Sequence, residues 1–182
     1  MSIIVNLEIL KRESELLKLN KASKFFILVL GPYWPECVLK RLEKIVKTLQ
    51  KMGWANTCLV KDLDDSFVEL DDAHRKSFYY IKEAHAVVAL FPIEGEKQGV
   101  AIEACKILDD ALLSKKSFLV LEVDDNNPEG YMTTLLSTRK EFSTIARARV
   151  SINPNDDDDV KNKKIIEKVH GYLKGSLLKK KE

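Results

Sequence analysis

Several things are scarce in this chain, and each scarcity narrows the possibilities. Cysteine occurs only as Cys37, Cys58 and Cys105, odd in number, far apart and in no Cys-x-x-Cys pair. Neither a disulfide framework nor a zinc site is expected, and reduced thiols in a cytoplasm are the default. Long apolar runs are missing: no segment reaches the ~18 residues that a membrane span needs. The opening residues MSIIVNLEILKRESELLKLNKASK scatter their apolar side chains among charged ones, which fits no secretion signal. A dominant charge sign is missing too, since 30 basic residues face 28 acidic ones for a net +2. Such a balance gives no whole-protein field favouring nucleic acid or an anionic membrane, and no aromatic-basic alternation offers bases a stacking surface. The 7 glycines form neither Gly-x-Gly-x-x-Gly nor a P-loop, and no cofactor or metal is expected. No repeat is visible, and no linker rich in Pro, Gly or Ser divides the chain.

What is present is a regular alternation. A length of 182 residues suits one α/β domain that buries roughly 70% of its unfolded surface. The reading is an N-terminal helix within 1–23 and a single domain over 24–182 that ends in a helix. Residues 6–19 carry leucines among charges, a helix able to cover a sheet edge or pair with a second subunit. Phe25 to Leu30 is an unbroken apolar run, as a strand buried on both faces requires. A helix follows from Pro35 to about Met52, with Val38, Leu39, Leu42, Ile45, Val46 and Leu49 at helical spacing and Gly53 closing it. Further strands are expected at Ala55–Val60, His85–Phe91, Ser117–Val123 and Ala146–Ile152. Helices are expected at 72–83, from Gly99 to about Leu113, weakly near 131–137, and at 160–178. This pattern predicts a doubly wound, mostly parallel five-stranded sheet with helices on both faces. In such sheets ligands bind beyond the carboxyl ends of the strands, which singles out GPYWPE, KDLDD, PIEGEKQG and DDNNPEGY.

Two of these segments carry candidate chemistry. In Gly31-Pro32-Tyr33-Trp34, glycine permits a tight turn and proline fixes the exit direction, leaving two aromatics at the rim for a base or sugar. In GVAIEACKIL, at about 100° per residue, Val100, Ala104, Ile107, Leu108 and Ala111 form one stripe with Glu103 at its margin. Gly99 removes an obstruction one turn earlier, and the helix start favours an ionised carboxylate. The same features also suit a plain strand-helix turn and a glutamate that stabilises its own helix. The acids from Asp62 to Asp72 read as a solvated loop and helix start, with a cation site as the lesser alternative because EF-hand spacing is absent. Asp156 to Asp159 stabilise a helix N-terminus. His85 opens the third strand, His74 and His170 lie among charges on helix faces, and Cys105 is read as packing.

The Gly-Pro-aromatic end of the first strand, the strand AHAVVALF, and Gly-x-x-x-Glu opening the next helix occur in the order and spacing of a known family. Over about Phe25 to Val123 the chain resembles the nucleoside 2-deoxyribosyltransferases and their relatives that hydrolyse nucleoside N-glycosidic bonds. The resemblance implies a doubly wound domain, a nucleoside or nucleotide ligand, assembly into a homo-oligomer, and a glutamate that attacks the anomeric carbon. Glu103 aligns with that glutamate, while Gly31 and Tyr33 align with the loop bordering sugar and base. The chain departs from the family at two acids. His85 stands where an aspartate is common, and Lys97 falls at the second acidic position with Glu94 and Glu96 close by.

Two readings follow. One is an N-glycosidic hydrolase or transferase with Glu103 at the anomeric carbon, His85 or Glu96 as acid, and Gly31, Pro32, Tyr33, Trp34 and Gly99 lining the substrate site. The other is a non-catalytic nucleotide-binding or signalling module of the same fold.

Overall fold

A computed structural model of the chain describes residues 20–63, 73–96, 98–124 and 145–178. Within these, strands β1 (Ile27–Leu30), β2 (Thr57–Leu59), β3 (Ala86–Phe91), β4 (Ser117–Asp124) and β5 (Ala146–Ile152) form one sheet. Its order is β2-β1-β3-β4-β5, and every neighbouring pair is parallel. The expected doubly wound α/β fold is therefore the observed one. The expected helices within 1–23 and near 131–137 lie outside the described residues, apart from a short helical end at 20–22.

Side-chain alternation along the buried strands produces two cores. Ile27 and Val29 of β1, Ala86, Val88 and Leu90 of β3, and Phe118 and Val120 of β4 point to one face. There they meet Leu42, Ile45 and Leu49 of α1 (Glu36–Lys51) and Ile165 and Val169 of α5 (Asp158–Leu173). The intervening residues Leu28, Leu30, Val87, Ala89, Phe91, Leu119 and Leu121 point to the other face. They pack on Ile81 of α2 (Ala73–Glu83) and Val100, Ala104 and Ile107 of α3 (Gln98–Asp109). A strand packed on both faces has no place for polar alternation, which is why these segments read as continuous apolar runs.

Helix ends follow local chemistry. Gly53, at φ 100°, closes α1 in the left-handed conformation that only glycine adopts without steric cost. The helix expected to run from Gly99 to about Leu113 is instead two. Asp110 accepts the amides of Leu112 and Leu113 and starts α4 (Ala111–Lys115), because a short carboxylate competes with the helical ladder and favours a new N-cap. At the carboxyl end, α5 begins two residues before the expected Val160 with Asp158 and Asp159 in its first turn, where acids complement the helix dipole. It continues as a π-helical turn over Lys174–Leu178.

The two edges of the sheet differ from its centre. β2 is only three residues long, and β5 has Arg147 and Arg149 exposed along its length.

Candidate functional site

The strand order dictates where a crevice opens. From β1 the chain winds to β2 on one side, while β3 lies on the other, so the loops leaving β1 and β3 part at their carboxyl ends. A cavity of about 570 Å³ lies at this switch point, lined by Gly31, Pro32, Tyr33 and Trp34 after β1 and by Glu96, Gly99, Val100 and Glu103 after β3. That volume is within the usual range for small-molecule sites. The sequence-predicted residues thus meet in one place, with one exception.

The exception is His85. It precedes β3, whose six residues rise about 3.3 Å each, so it lies roughly 20 Å from the cavity at the opposite, amino end of the sheet. Its Nδ1 accepts the Phe26 amide at 3.0 Å, and its ring meets Phe25 edge-on at 5.6 Å. His85 is a local tie between two strand starts, and the expectation that it serves as an acid beside Glu103 is corrected. Parallel topology is the reason: a residue opening a strand cannot share an end with one that follows it.

The two loops are joined by main chain. The Glu96 amide donates to the Trp34 carbonyl at 3.2 Å. Gly95 makes this approach possible, for at φ 97° a Cβ would stand 2.8 Å from that carbonyl oxygen. Gly31 serves packing, since a Cβ there would be 2.9 Å from Leu42 Cδ1. Gly99 differs from both, because a Cβ there would meet no atom within 4 Å. Its lack of a side chain therefore leaves cavity space open without being required by packing.

Glu103 is only 8% exposed, on the buried side of α3 with Val100, Ala104 and Ile107. The expected marginal position is thus a buried one that faces the cavity. Tyr33 and Trp34 stand at the rim, Trp34 66% exposed. Burial pushes the Tyr33 phenol up to about 12; the Lys61 amide opposes this and the Glu103 carboxylate adds to it. The phenol oxygen accepts that amide at 3.4 Å; because burial outweighs this contact, Tyr33 keeps its proton at neutral pH and can donate it.

The floor and far wall are built from Val60, Lys61, Lys76 and Ser77; Lys61 opens the KDLDD segment that the strand-end rule singles out, whereas Val60, Lys76 and Ser77 were missed. The Lys61 ammonium is paired with Glu43 at 2.6 Å, so its main chain is what serves Tyr33. Lys76 donates to the Leu63 carbonyl at 2.7 Å. No motif marks Lys76 and Ser77, which reach the cavity from α2, while Val60 directly follows β2 at the sheet end where ligands bind. Of the acidic stretch, Asp62 accepts the Leu59 amide at 3.3 Å within the 3-10 turn Val60–Asp62; residues 64–72 lie outside the described residues or carry no described side chain, as does Lys97. Cys105, expected to pack, is exposed. Among the described residues no helix is long and apolar enough to cross a membrane.

No family model and no curated protein matches the chain. Among solved structures, the metal-soaked Flv1 flavodiiron core from Synechocystis sp. PCC6803 is similar, with a TM-score of 0.56 and 12% identity. The match covers 96% of this chain and 41% of that one, so the chain spans less than half of its neighbour. At that identity the likeness shows the fold alone: a doubly wound α/β sheet of flavodoxin-like order.

Proposed function

We propose that the chain acts on the N-glycosidic bond of a nucleoside or nucleotide, as a hydrolase or transferase resembling the nucleoside 2-deoxyribosyltransferases. The observation that carries this reading is a buried carboxylate, Glu103, sharing the switch-point cavity with Tyr33, Trp34 and Gly99. Breaking a C–N glycosidic bond builds positive charge on the sugar, and a carboxylate held near the anomeric carbon stabilises or captures it. In the capture form, a Glu103 oxygen bonds to the anomeric carbon as the C–N bond breaks. The base leaves with the bonding electrons and takes a proton from Glu96, and water or a second base then displaces Glu103 while giving its own proton to the Glu96 carboxylate. Trp34 offers the base an aromatic face, and the Tyr33 phenol donates a hydrogen bond. A cytoplasmic, homo-oligomeric protein with a small-molecule ligand completes the proposal.

A non-catalytic nucleotide-binding module is favoured by one specific observation: His85, offered as an acid by the sequence, lies at the wrong end of the sheet. One experiment separates the two. The protein is incubated with nucleosides, nucleotides and dinucleotides, and free base is measured by chromatography alongside thermal melting. The catalytic reading expects base release that falls about a hundredfold or more in Glu103→Gln. Release that survives this change rejects the role of Glu103. A melting shift with no release supports the binding module.

A further inference from the structure

Behind the cavity, on the α1 and α5 side of the sheet, lies a group of charges outside the site described above. Arg41 of α1 is 4% exposed, and the Glu122 side chain of β4 is 1% exposed. Arg41 Nη2 is paired with Glu122 Oε1, and its Nη1 lies 3.3 Å from Glu94 Oε2. Arg41 Nε donates to Asn162 Oδ1 at 3.3 Å. Lys161, also buried, reaches Glu94 Oε1 at 3.2 Å.

The partners of these charges follow one another along the loop after β3. Glu122 Oε2 accepts the Ile93 amide at 3.0 Å. The next residue, Glu94, is held by both cations. Gly95 then turns against the Trp34 carbonyl, and the Glu96 amide closes on it. A short path therefore connects the ion pair to the cavity wall. A buried ion pair is a weak source of stability, because removing both charges from water offsets most of their attraction. What such a pair does supply is direction: a guanidinium presents several donors in a fixed fork, so it can hold Glu122 and Glu94 at once in a single geometry.

We propose that Arg41 is a positioning residue, holding the loop after β3 through Glu122 and Glu94 in the conformation that sets Glu96 and the start of α3 at the cavity. Its functional meaning rests on the cavity being the ligand site, while the positioning itself rests on geometry.

The test uses the full chain without ligand. Amide hydrogen exchange is followed at Ile93 and Glu96, with the β1, β3 and β4 amides as reference, in wild type, Arg41→Met, Arg41→Lys and Glu94→Gln. Iodide quenching of Trp34 is followed in parallel, with buried Trp54 as the internal control. The expected result in Arg41→Met is exchange faster on the order of tenfold at Ile93 and Glu96 relative to the strands, with altered Trp34 quenching. Arg41→Lys, which keeps the charge but loses the fork, should show the same local effect. If Arg41→Met does not fold, Arg41→Lys and the half-exposed Glu94→Gln carry the test. Unchanged exchange at both amides overturns the proposal, and so does uniform acceleration across the strands, which marks a merely stabilising pair. Absence of base release and of any nucleotide-dependent melting shift in wild type would instead sink the functional reading and leave the exchange result intact.

Discussion

The main chain of Glu96 is tied to that of Trp34 by a 3.2 Å hydrogen bond, so the loops after β1 and β3 behave as one wall of the cavity. Each loop supplies candidate chemistry, an aromatic from one and a carboxylate from the other. Disturbing the tie should affect both.

Gly95→Ala is the most direct disturbance. The φ of 97° is costly for an L side chain, and the added Cβ would press on the Trp34 carbonyl at 2.8 Å. A loss of about 2 kcal/mol or more is expected from these two effects together, measured by urea unfolding. A variant as stable as wild type would show that the loops do not need this approach.

Gly31→Ala and Gly99→Ala should part company. The first drives a Cβ to 2.9 Å from Leu42, a fully packed side chain, and should cost about 1–3 kcal/mol. The second meets nothing within 4 Å, lies in the first turn of a helix, and should leave stability unchanged or raised by up to about 1 kcal/mol. Any effect of Gly99→Ala on a bound nucleoside or nucleotide would then be read free of a folding defect, by comparing ligand-induced melting shifts.

Tyr33 makes a prediction at high pH. Its phenol is raised from 10.0 to about 12 in the folded chain, first by burial and then by Glu103. Between those values the unfolded chain has lost the proton while the folded chain keeps it, so stability falls as pH rises through this window. Burial raises the Tyr172 phenol too, so absorbance titration should show late phenolate formation that Tyr33→Phe diminishes without abolishing, and the same change should lessen the alkaline slope.

His170 makes the opposite prediction at low pH. Its Nδ1 accepts the indole N–H of Trp54 at 2.9 Å, and burial, with Lys174 nearby, pushes its pKa below 6.5. The unfolded chain takes up the proton first as pH falls, so this contribution is complete above 6.5 and is lost below it. Urea midpoints taken on either side of that value should converge in His170→Gln, which should also cost about 1 kcal/mol at neutral pH through the lost hydrogen bond. An unchanged acid slope would remove His170 from the account.

The legible parts of the sequence were those where one residue type answers one local demand. Continuous runs such as Ile27–Leu30 and Ala86–Phe91 announced strands buried on both faces, and the apolar spacing of α1 announced its packed side. Glu103 was legible as a carboxylate at the edge of a stripe, though its depth was not, because burial depends on what stands above α3. Arg41 was missed because periodicity counts apolar residues, and an arginine on the buried face of α1 reads as a gap. The clue lay elsewhere, in Glu122: a lone carboxylate inside FLVLEV must find a cation once the strand is covered. Its partner is 81 residues away, beyond the reach of any local pattern. The misplacement of His85 had a cheaper remedy, since strand direction alone puts it at the far end.

The two unlike edges of the sheet have a bearing on self-association. A three-residue β2 offers too little backbone to template another strand, and the arginines along β5 make a neighbouring copy's strand an unwelcome addition. Among the described residues, both sheet edges thereby disfavour the fibre-like addition of a further strand.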